Sequence, residues 1–518
     1  MLPLDPLTNR LPEAPTPRFT VPPVRQRSGS RSAHFRLPSV VRRLADGLTE
    51  GLIYFAIVFG PWAFGTTQDW SIQVMNGVGL ALGLLWVVKT VSRRPSSVLR
   101  PPSATLLGAG TLVILLYCLV SALNARAVYQ PEQWHFAYRP VIAWLPHSFD
   151  QAASWGAFWK YLGLAGFFWA LRDWLLTPSA PEAAAVAVAG KEGWGGHRLP
   201  VHLRRLFWLL AANGTALALQ GLMQRAEGGN ELLWLVVPRI NNTADAQFGP
   251  YAYRSNAAQY FNLLWPAVLG FWWAGVSSLR HRRAAGAGER QNRLAVLLPC
   301  VLIMAVCPLV SSSRGGAIVL VVNLIMAGGI LTLAQWRKAW WTKVALLLGL
   351  AGVVGGGTVL GWQTLSPRME MIGQGYVERE GLYLAGHYMA QDNAWFGTGP
   401  GTFATLYQLY RRNAISDSDD WLAQMHNDWL ETLITFGRLG TVPIFLTLVV
   451  VLAQWFRGGG GIYGNKYFVL LLWVALGGCL VHACFDFPFQ VHSVLTLFLI
   501  LCAVLCTLTR QGGETPAR

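Results

Sequence analysis

Residues 294–335 read LAVLLPCVLIMAVCPLVSSSRGGAIVLVVNLIMAGGILTLAQ. Two apolar runs, 294–311 and 315–335, meet at Ser311-Ser312-Ser313-Arg314-Gly315-Gly316. Each run is close to the roughly 20 residues that a helix needs to cross about 30 Å of hydrocarbon. A helix is also one of the few structures that satisfies its own backbone hydrogen bonds in lipid. The stretch therefore predicts two membrane spans joined by a tight turn that carries an arginine.

The same pattern recurs outward in both directions. Spans are expected near 48–66, 71–91, 104–123, 153–175, 205–225, 256–279, 294–311, 315–335, 344–361, 429–455, 467–485 and 491–509. Only 13% of the residues are charged and 53% are hydrophobic, with mean hydropathy +0.37. About 25% charged residues is usual for a globular protein, so a soluble chain is excluded. The expected fold is an all-α integral membrane protein, a polytopic bundle of about twelve transmembrane helices with a large periplasmic loop containing amphipathic helices. It divides into a basic, disordered cytoplasmic tail (1–47), spans 1–9 (48–361), the large loop (362–428), spans 10–12 (429–509) and a short cytoplasmic tail (510–518). The 1–47 tail has no apolar core of a signal peptide.

A net charge of +16 and a pI near 9.8 would suggest nucleic acid in a soluble protein. Here no nucleic-acid-binding motif accompanies them, and their distribution reads as topology. With both ends inside, 29 of the 41 Lys and Arg fall in or beside the inside segments, whereas acidic residues favour the outside. That is the positive-inside rule. The seven cysteines lie in apolar runs without metal-ligand spacing and read as small hydrophobes. No metal site and no cofactor is expected.

The outside segments hold the chemistry. They are 124–152, 226–255, the 311–316 turn and the 67-residue stretch 362–428, which is long enough to be functional or to have its own structure. Within the last, Val377, Gly381, Leu384, Tyr388 and Trp395 form the stripe of an amphipathic helix that can lie on the outer membrane surface. Gly397-Thr398-Gly399-Pro400-Gly401 reads as a plain turn or, without a following Lys-Ser/Thr, as a weak phosphate cradle.

Arg254, directly before span 6, and Arg314 defy the positive-inside trend. Two readings stand open: interfacial snorkelling or acidic pairing, and bidentate capture of a phosphate or diphosphate. His426, at the start of span 10, is either an interfacial hydrogen-bonding residue or a general base, since histidine titrates near neutrality. Asn427 and Glu431 are four apart on one helical face, close enough to hydrogen-bond to each other. Asp419 and Asp420 read as caps, with weak cation binding by 417–420 as the alternative. Arg379 stands between Glu378 and Glu380, which either pair with it or leave it for an anion. Asp486 follows His482 by four residues, to orient a base, bind a sugar or cap a turn. Lys160 is the one clear charge inside a span, or it snorkels.

In this order, several motifs resemble the O-antigen ligase and polymerase superfamily. They are Arg254-Ser255-Asn256 with Ala258, Tyr260 and Pro266; Ser311 to Gly316; Gly397 to Phe403; His426-Asn427-Asp428-Trp429-Leu430 with Gly437 and Gly440; and His482 with Asp486-Phe487-Pro488. Ser255-Asn256 stands where a common form of the pattern has Asn-His. The resemblance implies a metal-independent glycosyltransferase of the GT-C type in the bacterial inner membrane, with its active site facing the periplasm. It implies an undecaprenyl-diphosphate-linked glycan as donor and lipid A core or a growing glycan as acceptor. Membrane lipid surrounds it, and no nucleic acid takes part. It implies catalytic roles for Arg254, Arg314 and His426, and leaves Arg379, Asn427, Asp486 and Glu431 as substrate-binding candidates. A ligase, a polymerase and a protein O-oligosaccharyltransferase share this chemistry. A transporter is the competing class, but the two halves show no repeat and the polar residues avoid the midplane.

Overall fold

The computed structural model describes residues 39–92, 102–178, 199–280, 293–335, 340–370, 372–411, 423–457 and 466–511. The first 38 residues, the basic connectors 281–283 and 336–338, and 417–421 with the two expected caps lie outside these.

The described chain is mostly helical: α1 (Ser39–Trp62), α2 (Asp69–Val91), α3 (Pro102–Leu123), α4 (Gln151–Leu176), α5 (Val201–Glu227), α6 (Arg254–Arg280), α7 (Leu297–Val310), α8 (Arg314–Ala334), α9 (Trp340–Glu370), α10 (Ile372–Asp392), α11 (Phe403–Tyr410), α12 (Asp428–Arg457), α13 (Lys466–His482) and α14 (His492–Gln511). Each expected apolar stretch coincides with a helix. Among the described residues, seven helices are long and apolar enough to cross a membrane by length and composition, the helices α1, α2, α3, α5, α7, α8 and α12. α13 and α14 are shorter apolar helices, and α4 carries Lys160, Arg172 and Asp173.

In one group α4 packs against α2, α3 and α14, and α12 against α3 and α14; in the other α6 packs against α7, α8 and α13, and α9 against α7 and α8. α6 is the most enclosed helix, with Phe261, Trp265 and Phe271 fully buried. Lipid tails are as apolar as leucine, so close packing and interhelical hydrogen bonds, not escape from water, fix such a helix. Asn262 supplies one such bond, from its Nδ2 to the Gly316 carbonyl of α8 (2.9 Å), and Asn323 Nδ2 returns to the Asn262 carbonyl (3.3 Å). On the other flank Asn213 of α5 donates to Ile57 O of α1 and accepts from Trp62 Nε1.

The segments expected as outside loops have a hydrophobic core of their own. Ala127 and Phe136 of a short antiparallel hairpin, β1 (Ala127–Gln130) and β2 (His135–Tyr138), pack with Leu382, Ala385 and Met389 of α10, Phe403 and Tyr407 of α11, and Met425 and Ile434. The hairpin is a small departure from an all-helical fold. The face of α10 that packs inward is thus Leu382, Ala385 and Met389, while Leu384, Tyr388 and Trp395 of the expected stripe are exposed. α10 has apolar residues on both sides, so its burial against protein was hidden by the stripe that faces away. The described cysteines are all free, and Cys484, in the turn after α13, is exposed instead of lying in an apolar run.

Candidate functional site

α6 and α8 each begin with an arginine. Ser313 caps α8 by accepting from Gly316 N (3.1 Å), and Ser312 before it holds a left-handed φ of 59°. A Cβ on Gly316 would stand 2.3 Å from the Ala258 Cβ, so only glycine lets the first turns of α6 and α8 touch. The contact is fastened by Ser255 Oγ and Ser313 Oγ at 3.1 Å. Arg254 and Arg314 are thereby brought within electrostatic reach of one another, each flanking one of the two bonded serines. A cation at a helix N-terminus opposes the macrodipole at a cost of about 0.3–1 kcal/mol. Two such placements side by side create a strongly anion-seeking corner.

Two further arginines, not singled out from the sequence, complete that corner. Arg368, near the end of α9, binds the Asp245 carboxylate, which also lies 3.9 Å from Arg254 Nη1. Arg254 Nη1 donates to the Asp245 carbonyl as well (3.1 Å), and Arg314 Nη1 reaches the Arg368 carbonyl (3.5 Å). Arg225, at the end of α5, donates to the carbonyls of Ala244 and Gln247 and so braces the loop that carries Asp245. Burial would raise the Asp245 carboxyl, but the Thr243 hydroxyl and the Arg368 and Arg254 guanidiniums outweigh it and hold it below its ordinary range.

The same serine leads to the histidine. Ser255 Oγ donates to Asp486 Oδ2, and Asp486 Oδ1 lies 3.3 Å from His426 Nδ1. His482 Nε2 is 3.7 Å from the other carboxylate oxygen, and Phe487 N donates to Oδ1 (3.1 Å). Burial pushes the Asp486 carboxyl up, yet the two histidines overcome it and hold it well below the carboxylate range. His426 itself has a left-handed φ of 52°, uncommon outside glycine, which costs energy and re-aims the ring. Its carbonyl accepts from Tyr383 Oη of α10 (3.2 Å), and Phe487 and Tyr253 present their rings to the imidazole. With Nδ1 turned to a carboxylate, Nε2 is the nitrogen left for a substrate.

The remaining candidates divide. Arg379 Nη1 donates to the Phe485 carbonyl (2.8 Å), beside the Asp486 turn. Asn427 caps α12, its side chain accepting from Leu430 N (3.0 Å). Glu431 turns back to accept from Met425 N (2.8 Å), so both side chains brace the ends of the His426 turn, and the two residues meet through the backbone, Glu431 N donating to Asn427 O (2.9 Å). Lys160 of α4 donates to the Gln490 carbonyl (3.4 Å), within electrostatic reach of Asp428 and Glu431. The glycine turn uses its amides on protein: Thr398 N and Gly399 N donate to Ile434 O and Thr435 O (2.8 and 3.0 Å), which supports the plain turn over a phosphate cradle. Beside the first turn of α12 lies an apolar cavity of about 460 Å³, lined by Leu107, Tyr161, Phe168, Trp429, Phe445 and Phe489 among others.

Arg254, Arg314, His426 and Asp486 are therefore joined in one place, with Arg379 at its edge. Asp245, Arg225 and Arg368 escaped the sequence reading because no local spacing links them. The one available signal was that all three lie at the outside ends of expected spans or in outside segments. No curated protein matches the chain. Residues 299–445, from α7 into α12, match the family model described as O-antigen ligase. The matched segment contains Arg314, Arg368, Arg379 and His426, and together with the membrane-length helices it supports membership of the O-antigen ligase superfamily.

Proposed function

We propose that this protein is a ligase that moves a glycan from undecaprenyl diphosphate to a hydroxyl of lipid A core at the periplasmic face of the inner membrane. The observation that carries the reading is the continuous contact from Arg254 and Arg314 through Ser255 to Asp486 and His426. It sets an anion-binding corner beside a base. The bond between the sugar C1 and the diphosphate oxygen breaks, and the guanidiniums stabilise the charge that gathers on the departing diphosphate. The acceptor hydroxyl gives its proton to His426 Nε2 as its oxygen bonds to C1. Asp486 holds the imidazole in the tautomer that leaves Nε2 open. The apolar cavity beside Trp429 and Phe489 suits a lipid chain, as expected where a substrate is lipid-linked.

Glycolipids of a deletion strain test this. Bare lipid A core together with free lipid-linked polymer is the ligase outcome, whereas core bearing a single repeat unit would make the chain a polymerase. Complementation with wild type should restore capped core. His426→Ala should restore it poorly, since a general base contributes about 10²- to 10⁴-fold. Full complementation by His426→Ala would remove the histidine from the reaction.

A further inference from the structure

Two guanidiniums hold a single carboxylate, and a third stands beside them. Arg368 binds Asp245 directly, Arg254 contacts both its carboxylate and its carbonyl, and Arg314 reaches the backbone of Arg368. Asp245 is 40% exposed at its side chain, while Arg254 and Arg368 are 20% and 25% exposed. The carboxylate therefore lies at the mouth of the corner, with the cations behind it. Arg225 grips the neighbouring carbonyls of Ala244 and Gln247, so the backbone of this loop is fixed, while among the described residues the Asp245 side chain is held by Arg254, Arg368 and Thr243.

We propose that Asp245 is a resident anion that a diphosphate displaces, and that Arg368 is a third guanidinium of the diphosphate site. The inference rests on the donor reading given above and adds these two residues to it. A guanidinium fork engages one carboxylate or one phosphate face at a time. Bidentate capture of a diphosphate by Arg254 and Arg368 thus requires Asp245 to leave. The exchange keeps the three like charges compensated when no substrate is bound, and it replaces one negative charge by the larger charge of a diphosphate. Weak anions, which bring no more charge than the aspartate already there, are excluded by competition.

Farnesyl diphosphate binding to the full-length protein in lipid nanodiscs tests the exchange. Asp245→Asn should bind it about tenfold more tightly, because a competing anion of one charge-assisted contact has been removed. Arg368→Gln should bind about tenfold more weakly. Asp245→Glu, which keeps the anion, should resemble wild type. Unchanged or weaker binding by Asp245→Asn, or unchanged binding by Arg368→Gln, overturns the proposal. A measurement on the wild type covers the case in which a variant fails to fold: farnesyl diphosphate should shield Arg368 from phenylglyoxal, read by peptide mass spectrometry, and an unshielded Arg368 overturns it equally. Arg314→Gln separates the two levels. If it loses binding while Asp245→Asn gains none, only the exchange fails. If wild type binds no farnesyl diphosphate, or Arg314→Gln binds it as wild type does, the donor reading fails and the exchange falls with it.

Discussion

Asp486 shows how one buried carboxylate joins groups far apart in the sequence. It accepts from Ser255, contacts His426 and His482 from two sides, and lies close to the phenol of Tyr253. Its carboxyl is held well below the ordinary range by the two histidines. A depressed folded value means that this stabilisation is complete above the unfolded value near 3.9 and fades as pH falls toward the folded one. Asp486→Asn should therefore melt lower than wild type at pH 7, by on the order of 1–3 kcal/mol for groups left unpaired in a buried network. The gap should narrow when both proteins are melted at successively lower pH, starting near about pH 4. A gap that stays constant or widens in acid would show that the carboxylate charge contributes nothing. Individual residues were legible where a motif holds several polar groups in a row, as at His426-Asn427-Asp428 or Ser313-Arg314. Asp245 and Arg368 were not, because an ion pair spanning 123 residues leaves no local pattern.

α12 is the element that turns an apolar rod into a holder for the histidine. It is broken at Gly437, with φ 59° and ψ −172°, a conformation essentially confined to glycine. The break lets the Gly397–Gly401 turn lie against the helix, with Arg438 N and Leu439 N donating to Ala394 O and Trp395 O. Tyr117 Oη of α3 lies 2.7 Å from the carbonyls of both Phe396 and Phe436, sharing its one proton between them, and clamps the junction. A Cβ on Gly437 would stand 2.4 Å from Gly397 N and 2.5 Å from Trp395 O. Gly437→Ala should therefore lower the melting temperature through about 1–3 kcal/mol of backbone strain plus steric overlap, and reduce transfer by shifting the turn that carries His426. Gly356→Ala in α9, where an added Cβ meets nothing within 4 Å, is the control and should melt no lower than wild type. Equal melting of the two variants would show that the break is not needed. The helices were legible because apolar length is a property of a continuous segment. The break and the hairpin were not, because each depends on a partner segment that arrives from elsewhere in the chain.

Across the whole molecule, the distribution of charge and the placement of the site make one argument. The Lys and Arg that do not collect at the expected inside segments include Arg225, Arg254, Arg314, Arg368 and Arg379, all of which the fold gathers at or beside the site. The positive-inside rule opposes arginines on the outer side, so their concentration there needs a compensating anion, which Asp245 supplies within the protein and a diphosphate would supply from outside. This reasoning holds only if the layer containing α10, α11 and the hairpin faces the periplasm and α1 begins on the cytoplasmic side. Trp395 is 60% exposed in that layer and Val40 is 66% exposed at the start of α1, so both positions accept a label without unfolding the bundle. Cysteines are introduced at each in a background stripped of the native thiols, because Cys484 is itself exposed near the site. A membrane-impermeant maleimide should label Trp395→Cys in cells with a permeabilised outer membrane, and Val40→Cys only after the inner membrane is opened. The reverse pattern would put the arginine corner in the cytoplasm. There the positive-inside rule alone would account for it, and neither the periplasmic transfer nor the need for a resident anion would follow from charge.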